Sequence, residues 1–170
     1  SPGDSIVVQP PVYFPFFSAV EAHGRKLIHN RLSEHNGEWE MDFEDLEKIA
    51  GNQPKMIMIS NPHNPVGRAW SREELAILAE KCLRNNILIL SDEIHCDLVF
   101  SGHEHVPIAS LAPEIAARTI TLMAPSKTYN IAGIKASVAI IEDDALRAQF
   151  EKAGCGLVPH VDVMGFTAML

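Results

Sequence analysis

Met56-Ile57-Met58-Ile59 and Ile87-Leu88-Ile89-Leu90 are the two stretches that decide the fold class of this chain. Both are apolar on each face, a pattern typical of parallel strands that are buried on both sides. A helix start lies between them, because Ser71 and Glu74 have the spacing of a capping box. Strands that alternate with helices predict an α/β fold with three layers and a mostly parallel sheet.

Further strands and helices extend this pattern along the chain. The candidate strands are 6–8, 25–29, 119–123 and 137–141, and the candidate helices are 43–50, capped by Asp42, and 145–152, capped by Asp143 or Asp144. No repeat or Gly/Ser-rich linker interrupts the sequence. With 170 residues, the chain has the usual length of one domain, so we expect a single domain over 1–170.

Composition excludes several classes of protein. Lys and Arg number 14 against 22 Asp and Glu, a net charge of −8, which disfavours binding to a nucleic-acid backbone. No apolar run reaches the roughly 18 residues of a membrane span, and the first residues do not resemble a secretory signal. The three cysteines are too few for a disulfide framework, so we expect reduced thiols and a cytoplasmic protein.

Polar segments follow three of the predicted strands, at 60–67, 91–95 and 124–133. Ligands of open α/β sheets bind beside the carboxyl ends of the strands. We therefore expect these three segments to meet at one site. The histidines at 103–105 fall outside them and are interpreted as a polar loop rather than a metal site.

Asn64, Asp92 and Lys127 are the candidate chemical groups of these segments. Each has an ordinary interpretation: Asn64 in a rigid proline turn, Asp92 in a salt bridge or helix cap, and Lys127 as a solvated loop lysine. Together, an amine that can form a Schiff base, a buried carboxylate and a positioned amide suit pyridoxal phosphate. Glu93, beside Asp92, is interpreted as a structural hydrogen-bonding group.

Three motifs carry a resemblance to a known family. Asn64-Pro-Val-Gly67, Ser91-Asp92-Glu93 and Ser126-Lys127-Thr128 resemble, in order and spacing, fold-type I pyridoxal-phosphate enzymes of the class I/II aminotransferase superfamily. The resemblance implies that Lys127 bonds covalently to the cofactor. It also implies that Asp92 keeps the pyridine nitrogen protonated and that Asn64 stabilises the ring phenolate.

The same resemblance suggests further cofactor contacts. Tyr13, in Pro11-Val-Tyr13, is the candidate for stacking on the cofactor ring, with a surface tyrosine as its ordinary interpretation. Ser126 and Lys135 are candidates for the cofactor phosphate, although many relatives have an arginine in place of Lys135, which would bind bidentately. His95 stands where ordinary aminotransferases have a tyrosine, and it can offer an N–H to the phenolate instead.

Longer stretches resemble one branch of the superfamily. Residues 61–70, 92–97 and 124–133 are similar to carbon–sulfur β-lyases of the cystathionine β-lyase (MalY/PatB) type. This resemblance implies β-elimination of an S-substituted cysteine to pyruvate, ammonia and a thiol, with Lys127 as the catalytic base. A class I/II aminotransferase is the alternative, and a non-catalytic module that retains the cofactor pocket and binds a partner is the third.

Complete members of the family have parts that this sequence lacks. They have an N-terminal segment and a smaller C-terminal domain, and they form homodimers. We therefore expect 1–170 to be the large, cofactor-binding domain of a longer homodimeric enzyme with a small amino-acid substrate.

Overall fold

The computed structural model describes residues 1–158 and 160–169. The strands are β1 (Ser5–Val8), β2 (Lys26–His29), β3 (Ser33–His35), β4 (Glu38–Glu40), β5 (Met56–Ser60), β6 (Leu88–Asp92), β7 (Thr119–Met123) and β8 (Val138–Ile140). The helices are α1 (Pro15–Glu21), α2 (Phe43–Ala50), α3 (Arg72–Arg84), α4 (Pro113–Ala116), α5 (Pro125–Thr128), α6 (Asp144–Gly154) and α7 (Val163–Met169). Single 3₁₀ turns lie at Ile108–Ser110 and Ala132–Ile134.

Six strands form one sheet in the order β2-β1-β5-β6-β7-β8. All neighbours in this sheet are parallel except β7 and β8, which are antiparallel. The predicted α/β fold with a mostly parallel sheet is therefore confirmed. The sequence analysis did not predict the short helices α1, α4, α5 and α7 or the small antiparallel hairpin of β3 and β4.

The sheet has apolar side chains on both faces because successive strand residues point in opposite directions. Val7, Ile57 and Ile89 are completely buried in the larger core, against α2, α3 and α4. Val8 faces the other side and packs with Phe16 of α1, beside the half-buried Met58. Helices cover both faces, which gives the three predicted layers.

The predicted helix starts are confirmed. Ser71 accepts a hydrogen bond from the Glu74 backbone N–H at 3.1 Å, and the Glu74 carboxylate accepts one from the Ser71 N–H at 2.8 Å. Asp42 and Asp143 cap α2 and α6 through their side chains, which accept hydrogen bonds from the Asp45 and Leu146 N–H groups. Each cap satisfies a backbone donor that has no partner within the helix.

Ile87 was predicted as the first residue of β6, but the strand begins at Leu88. Asn86 has a left-handed backbone (φ 58°) and ends α3. The Ile87 N–H then donates back to the Cys82 carbonyl oxygen at 2.8 Å. This bond makes Ile87 part of the helix termination, a common use of Asn after a helix.

Among the residues described, none of the helices is both long and apolar enough to cross a membrane.

Candidate active site at the carboxyl edge of the sheet

The carboxyl ends of β5, β6 and β7 lie side by side. Ser60 is opposite Asp92, and Asp92 is opposite Leu122. Two backbone hydrogen bonds of 2.9 Å extend this pairing by one residue, from the Asn61 N–H to the Asp92 carbonyl and from the Glu93 N–H to the Leu122 carbonyl. The three polar segments therefore start at the same edge of the sheet, as expected.

Asp92 is a buried carboxylate with few hydrogen-bond donors around it. Its side chain is 8% exposed, and within residues 1–158 and 160–169 it accepts one long hydrogen bond, from the Ile94 N–H at 3.4 Å. Burial raises the pKa of the Asp92 carboxyl above its usual value, although the neighbouring His95 and Lys127 oppose that rise. A cationic ligand atom beside Asp92 would stabilise its charge further.

His95 and Lys127 share the electrostatic environment of Asp92. Burial lowers the pKa of the His95 ring, and so does the positive charge of Lys127, whereas Asp92 raises it. The net direction is downward, so the ring is neutral near pH 7 and can donate a single N–H. The structure thus brings together an amine, a carboxylate and a neutral imidazole that the sequence had placed on two separate segments.

The segment that carries Asn64 is braced from within the protein. Asn61 is completely buried; its side-chain NH₂ donates to the Val106 carbonyl at 3.0 Å, and its side-chain oxygen accepts from the Trp70 N–H at 3.1 Å. The Trp70 ring N–H donates to the Ser60 carbonyl at 3.0 Å. These bonds close the loop on itself and hold the half-buried Asn64 at the strand end.

Replacing Asn61 with alanine should destabilise the protein strongly. The substitution leaves a buried carbonyl at Val106 and a buried N–H at Trp70 without partners, and each such loss costs about 1–3 kcal/mol. We expect a clear fall in the thermal midpoint of the complete protein. Asn52→Ala, at an exposed loop position, is the matched control and should leave the midpoint unchanged. Equal midpoints for the two variants would mean that Asn61 does not brace the loop.

Tyr13 lies on the segment after β1, at the same edge. The His63 ring donates through Nε2 to the Pro11 carbonyl at 2.9 Å, which ties this segment to the Asn64 loop. Tyr13 is 42% exposed and packs against two phenylalanines, with 5.7 Å between its ring centroid and that of Phe14 and 6.1 Å to that of Phe16. Part of its ring therefore remains accessible to a ligand.

Lys127 lies on α5, directly after β7, and its side chain is exposed. Ser126 is half-buried on the same turn, and Lys135 is exposed after the second 3₁₀ turn. Neither side chain makes a hydrogen bond or ion pair with the residues that the structure describes. Ser126 is adjacent to Lys127 in the chain, whereas Lys135 lies eight positions further on.

Asn64 and His95 line a cavity of about 760 Å³. The hairpin of β3 and β4 forms another wall of this cavity through Trp39, and the loop before the first 3₁₀ turn contributes Phe100. Arg68, a cation in the wall, is already paired with Glu74 at 2.7 and 2.8 Å. This cavity could not be predicted from the sequence, because its walls come from segments far apart in the chain.

Glu93, next to Asp92 in the chain, is the centre of a buried hydrogen-bond network. Its carboxylate is completely buried and accepts hydrogen bonds from the Ser91 hydroxyl (2.8 Å), His105 Nε2 (2.9 Å) and the Ile108 N–H (3.3 Å). The predicted structural role of Glu93 is confirmed. The loop of residues 103–105 was expected to be merely polar. Instead, the His105 ring hydrogen-bonds to Glu93 and fixes the loop to the end of β6.

This arrangement suits a cofactor that carries an aldehyde and a basic ring nitrogen. Lys127 offers an accessible amine, and Asp92 offers a buried carboxylate with spare acceptor capacity. Asn64 and His95 supply neutral hydrogen-bond donors, and Tyr13 supplies an exposed aromatic face. The mostly parallel sheet, with these side chains on the segments that follow its strands, is the α/β fold of the fold-type I enzymes.

The chain belongs to the class I and II aminotransferase family, whose model matches residues 1–157. It is 51% identical over 150 residues to cystathionine beta-lyase PatB of Bacillus subtilis, covering 88% of this chain and 39% of PatB. It is 31% identical over 152 residues to protein MalY of Escherichia coli, covering 89% of this chain and 38% of MalY.

A solved structure with this fold is cystalysin from Treponema denticola, which contains a pyridoxal 5'-phosphate cofactor. It matches with a TM-score of 0.95 and 38% identity, over 99% of this chain and 43% of the cystalysin chain. The chain thus spans less than half the length of these relatives.

Proposed function

We propose that this chain is the cofactor-binding part of a pyridoxal-phosphate-dependent carbon–sulfur β-lyase that cleaves an S-substituted cysteine such as cystathionine. The observation that carries the proposal is the grouping of Lys127, Asp92 and His95 at the carboxyl edge, where each one alters the charge environment of another. The activity is proposed for the complete protein, because the chain spans under half of the relatives it matches.

Seven side chains would hold the cofactor in this proposal, five at its ring and two at its phosphate. The Lys127 amine would bond to its aldehyde carbon, the Asp92 carboxylate would accept a hydrogen bond from its ring nitrogen, and Asn64 and His95 would donate to its ring oxygen. Tyr13 would cover one face of the ring. Ser126 and Lys135 are the proposed contacts of the phosphate. Ser126 is the better supported of the two, because it adjoins Lys127 at the start of α5.

When bound, pyridoxal phosphate supplies an electron sink for the negative charge left on a deprotonated substrate carbon. The protein's contribution is to hold and move protons. Asp92 keeps a proton on the ring nitrogen, because a carboxylate in this buried position stabilises a neighbouring cation. With substrate bound in its place, the Lys127 amine would be free to take the proton from the substrate's Cα as general base.

The substrate is then cleaved between its β-carbon and sulfur. The bond's electron pair leaves with the sulfur as a thiolate, and the three-carbon enamine that remains is hydrolysed to pyruvate and ammonia. Sequence similarity supports this outcome over transamination, since PatB is a cystathionine beta-lyase with 51% identity. The site residues themselves serve both reactions, which share the step in which Cα loses its proton.

Further properties of the complete protein belong to the same proposal. Residues 1–170 would form the large domain of a homodimeric enzyme that works in the cytoplasm on a small amino acid. The free thiols of Cys82, Cys96 and Cys155 support a reducing compartment. The coverage of PatB and cystalysin supports a longer protein.

The products formed from cystathionine test the proposal. The complete protein, loaded with pyridoxal phosphate and given cystathionine without a keto acid, should release pyruvate and a thiol in equal amounts. Keto-acid-dependent transfer of the amino group without pyruvate release would instead make it an aminotransferase. A protein that binds the cofactor but does neither would be a non-catalytic module, and the proposed activity would be wrong.

A further inference from the structure

Helix α5, which carries Lys127, is weakly anchored by its own residues. It has four residues, none of them buried, and its N-cap residue Ala124 provides no side-chain hydrogen bond. Its backbone bonds run to its immediate neighbours, from the Tyr129 N–H to Pro125 and from the Ile131 N–H to Ser126, both at 3.0 Å. The position of Lys127 therefore depends on contacts with other segments.

Asp97 makes such a contact with α5. The Thr128 hydroxyl donates to Asp97 Oδ2 at 2.7 Å, across 31 positions of sequence. Within residues 1–158 and 160–169, this is the one side-chain hydrogen bond that any residue of α5 forms. It joins the residue after Lys127 to the segment that carries Asp92 and His95.

The segment that holds Asp97 is itself well fixed. The Cys96 N–H donates to the Glu93 carbonyl at 3.0 Å, and the Leu98 N–H donates to the His95 carbonyl at 2.9 Å. Glu93 is anchored by its buried network. Asp97 therefore stands on a rigid turn at the end of β6, whereas Thr128 stands on a short helix with little support.

We propose that Asp97, acting through Thr128, is a positioning residue that holds Lys127 in place relative to Asp92 and His95. The inference rests on the proposed function, since Lys127 is taken as the residue that binds the cofactor. Asp97 itself need not touch cofactor or substrate. Loss of the bond would let α5 move, and the Lys127 amine would then meet the cofactor's aldehyde carbon in the productive geometry less often.

The release of pyridoxal phosphate from the complete protein, without substrate, is the first readout. Asp97→Ala and Thr128→Val each remove one partner and should each speed release about tenfold, the scale of one lost hydrogen bond to a charged group. Asp97→Asn and Thr128→Ser keep an acceptor and a donor and should stay within about twofold of the parent. Glu80→Ala, at an exposed position on α3, is the control and should change nothing.

A double variant separates positioning from general loosening of the fold. If the two side chains act through one bond, Asp97→Ala combined with Thr128→Val should release the cofactor no faster than either single variant. Effects that multiply, or release rates equal to the parent's, would overturn the proposal. So would a fall in the thermal midpoint that accounts for the faster release.

Amide hydrogen exchange in the cofactor-free protein gives a readout that does not depend on the proposed function. Asp97→Ala should speed exchange in the segment around α5 and leave the strands unchanged. Unchanged exchange there would overturn the proposal while leaving the proposed function standing. A parent protein that binds no pyridoxal phosphate would instead overturn the proposed function, and with it the role given to Asp97.

Discussion

Replacing Lys127 with alanine in the complete protein is expected to abolish the near-visible absorption band of bound pyridoxal phosphate. Turnover should fall by roughly 10⁴-fold or more, the upper end of the range for a general base. The reason is that one amine serves two purposes: it bonds to the cofactor, and it takes the proton from the substrate's Cα. The absorption spectrum and the rate of pyruvate release measure the two losses separately.

Lys152→Ala is the matched control for this experiment. Lys152 is exposed on α6 and belongs to none of the three segments that form the site. The control should keep both the absorption band and the activity. If Lys127→Ala also kept the band, the cofactor would be bonded to a different lysine, and the assignment of the site would be wrong.

Replacing Asp92 with asparagine is expected to separate cofactor binding from catalysis. The carboxylate is 8% exposed at the end of β6, where Coulomb interactions are stronger than in water. Asparagine keeps the shape but removes the charge that keeps the ring nitrogen protonated. We expect a loss of at least about 100-fold in turnover, the scale of removing one preorganised electrostatic partner.

The absorption band should survive in the Asp92→Asn variant, because Lys127 is intact. Asp144→Asn, at an exposed position on α6, is the control for the same chemical change and should behave like the parent. Near-normal turnover in Asp92→Asn would mean that Asp92 is only structural. The assignment of the ring-nitrogen contact would then have to be withdrawn.

The elements that could be predicted from the sequence are those with local signals. The capping box of Ser71 and Glu74 and the caps at Asp42 and Asp143 each join residues three positions apart. The buried strands are short runs of apolar residues, which can be recognised from neighbouring positions in the sequence. The hairpin of β3 and β4 also has a local signal in its turn, Asn36-Gly37, where both residues have positive φ. It escaped prediction because its three-residue strands, Ser33–His35 and Glu38–Glu40, are mostly polar.

Candidate site residues could be proposed from the sequence because the carboxyl ends of parallel strands share one edge. That rule brought the segments of Asn64, Asp92 and Lys127 together. It could not reveal what fixes those segments, because the bonds join residues far apart in the chain. Asn61 reaches Val106 across 45 positions, and Thr128 reaches Asp97 across 31.

Locating the cofactor's covalent bond shows directly whether Lys127 is the residue that binds pyridoxal phosphate. Borohydride reduction of the complete, cofactor-loaded protein makes the bond between cofactor and lysine permanent, and trypsin then releases the labelled peptide for mass spectrometry. We expect a label on Lys127, in an uncleaved peptide of residues 119–135, since trypsin does not cut at a modified lysine. A label on Lys135 or any other lysine, or no label at all, would contradict this assignment.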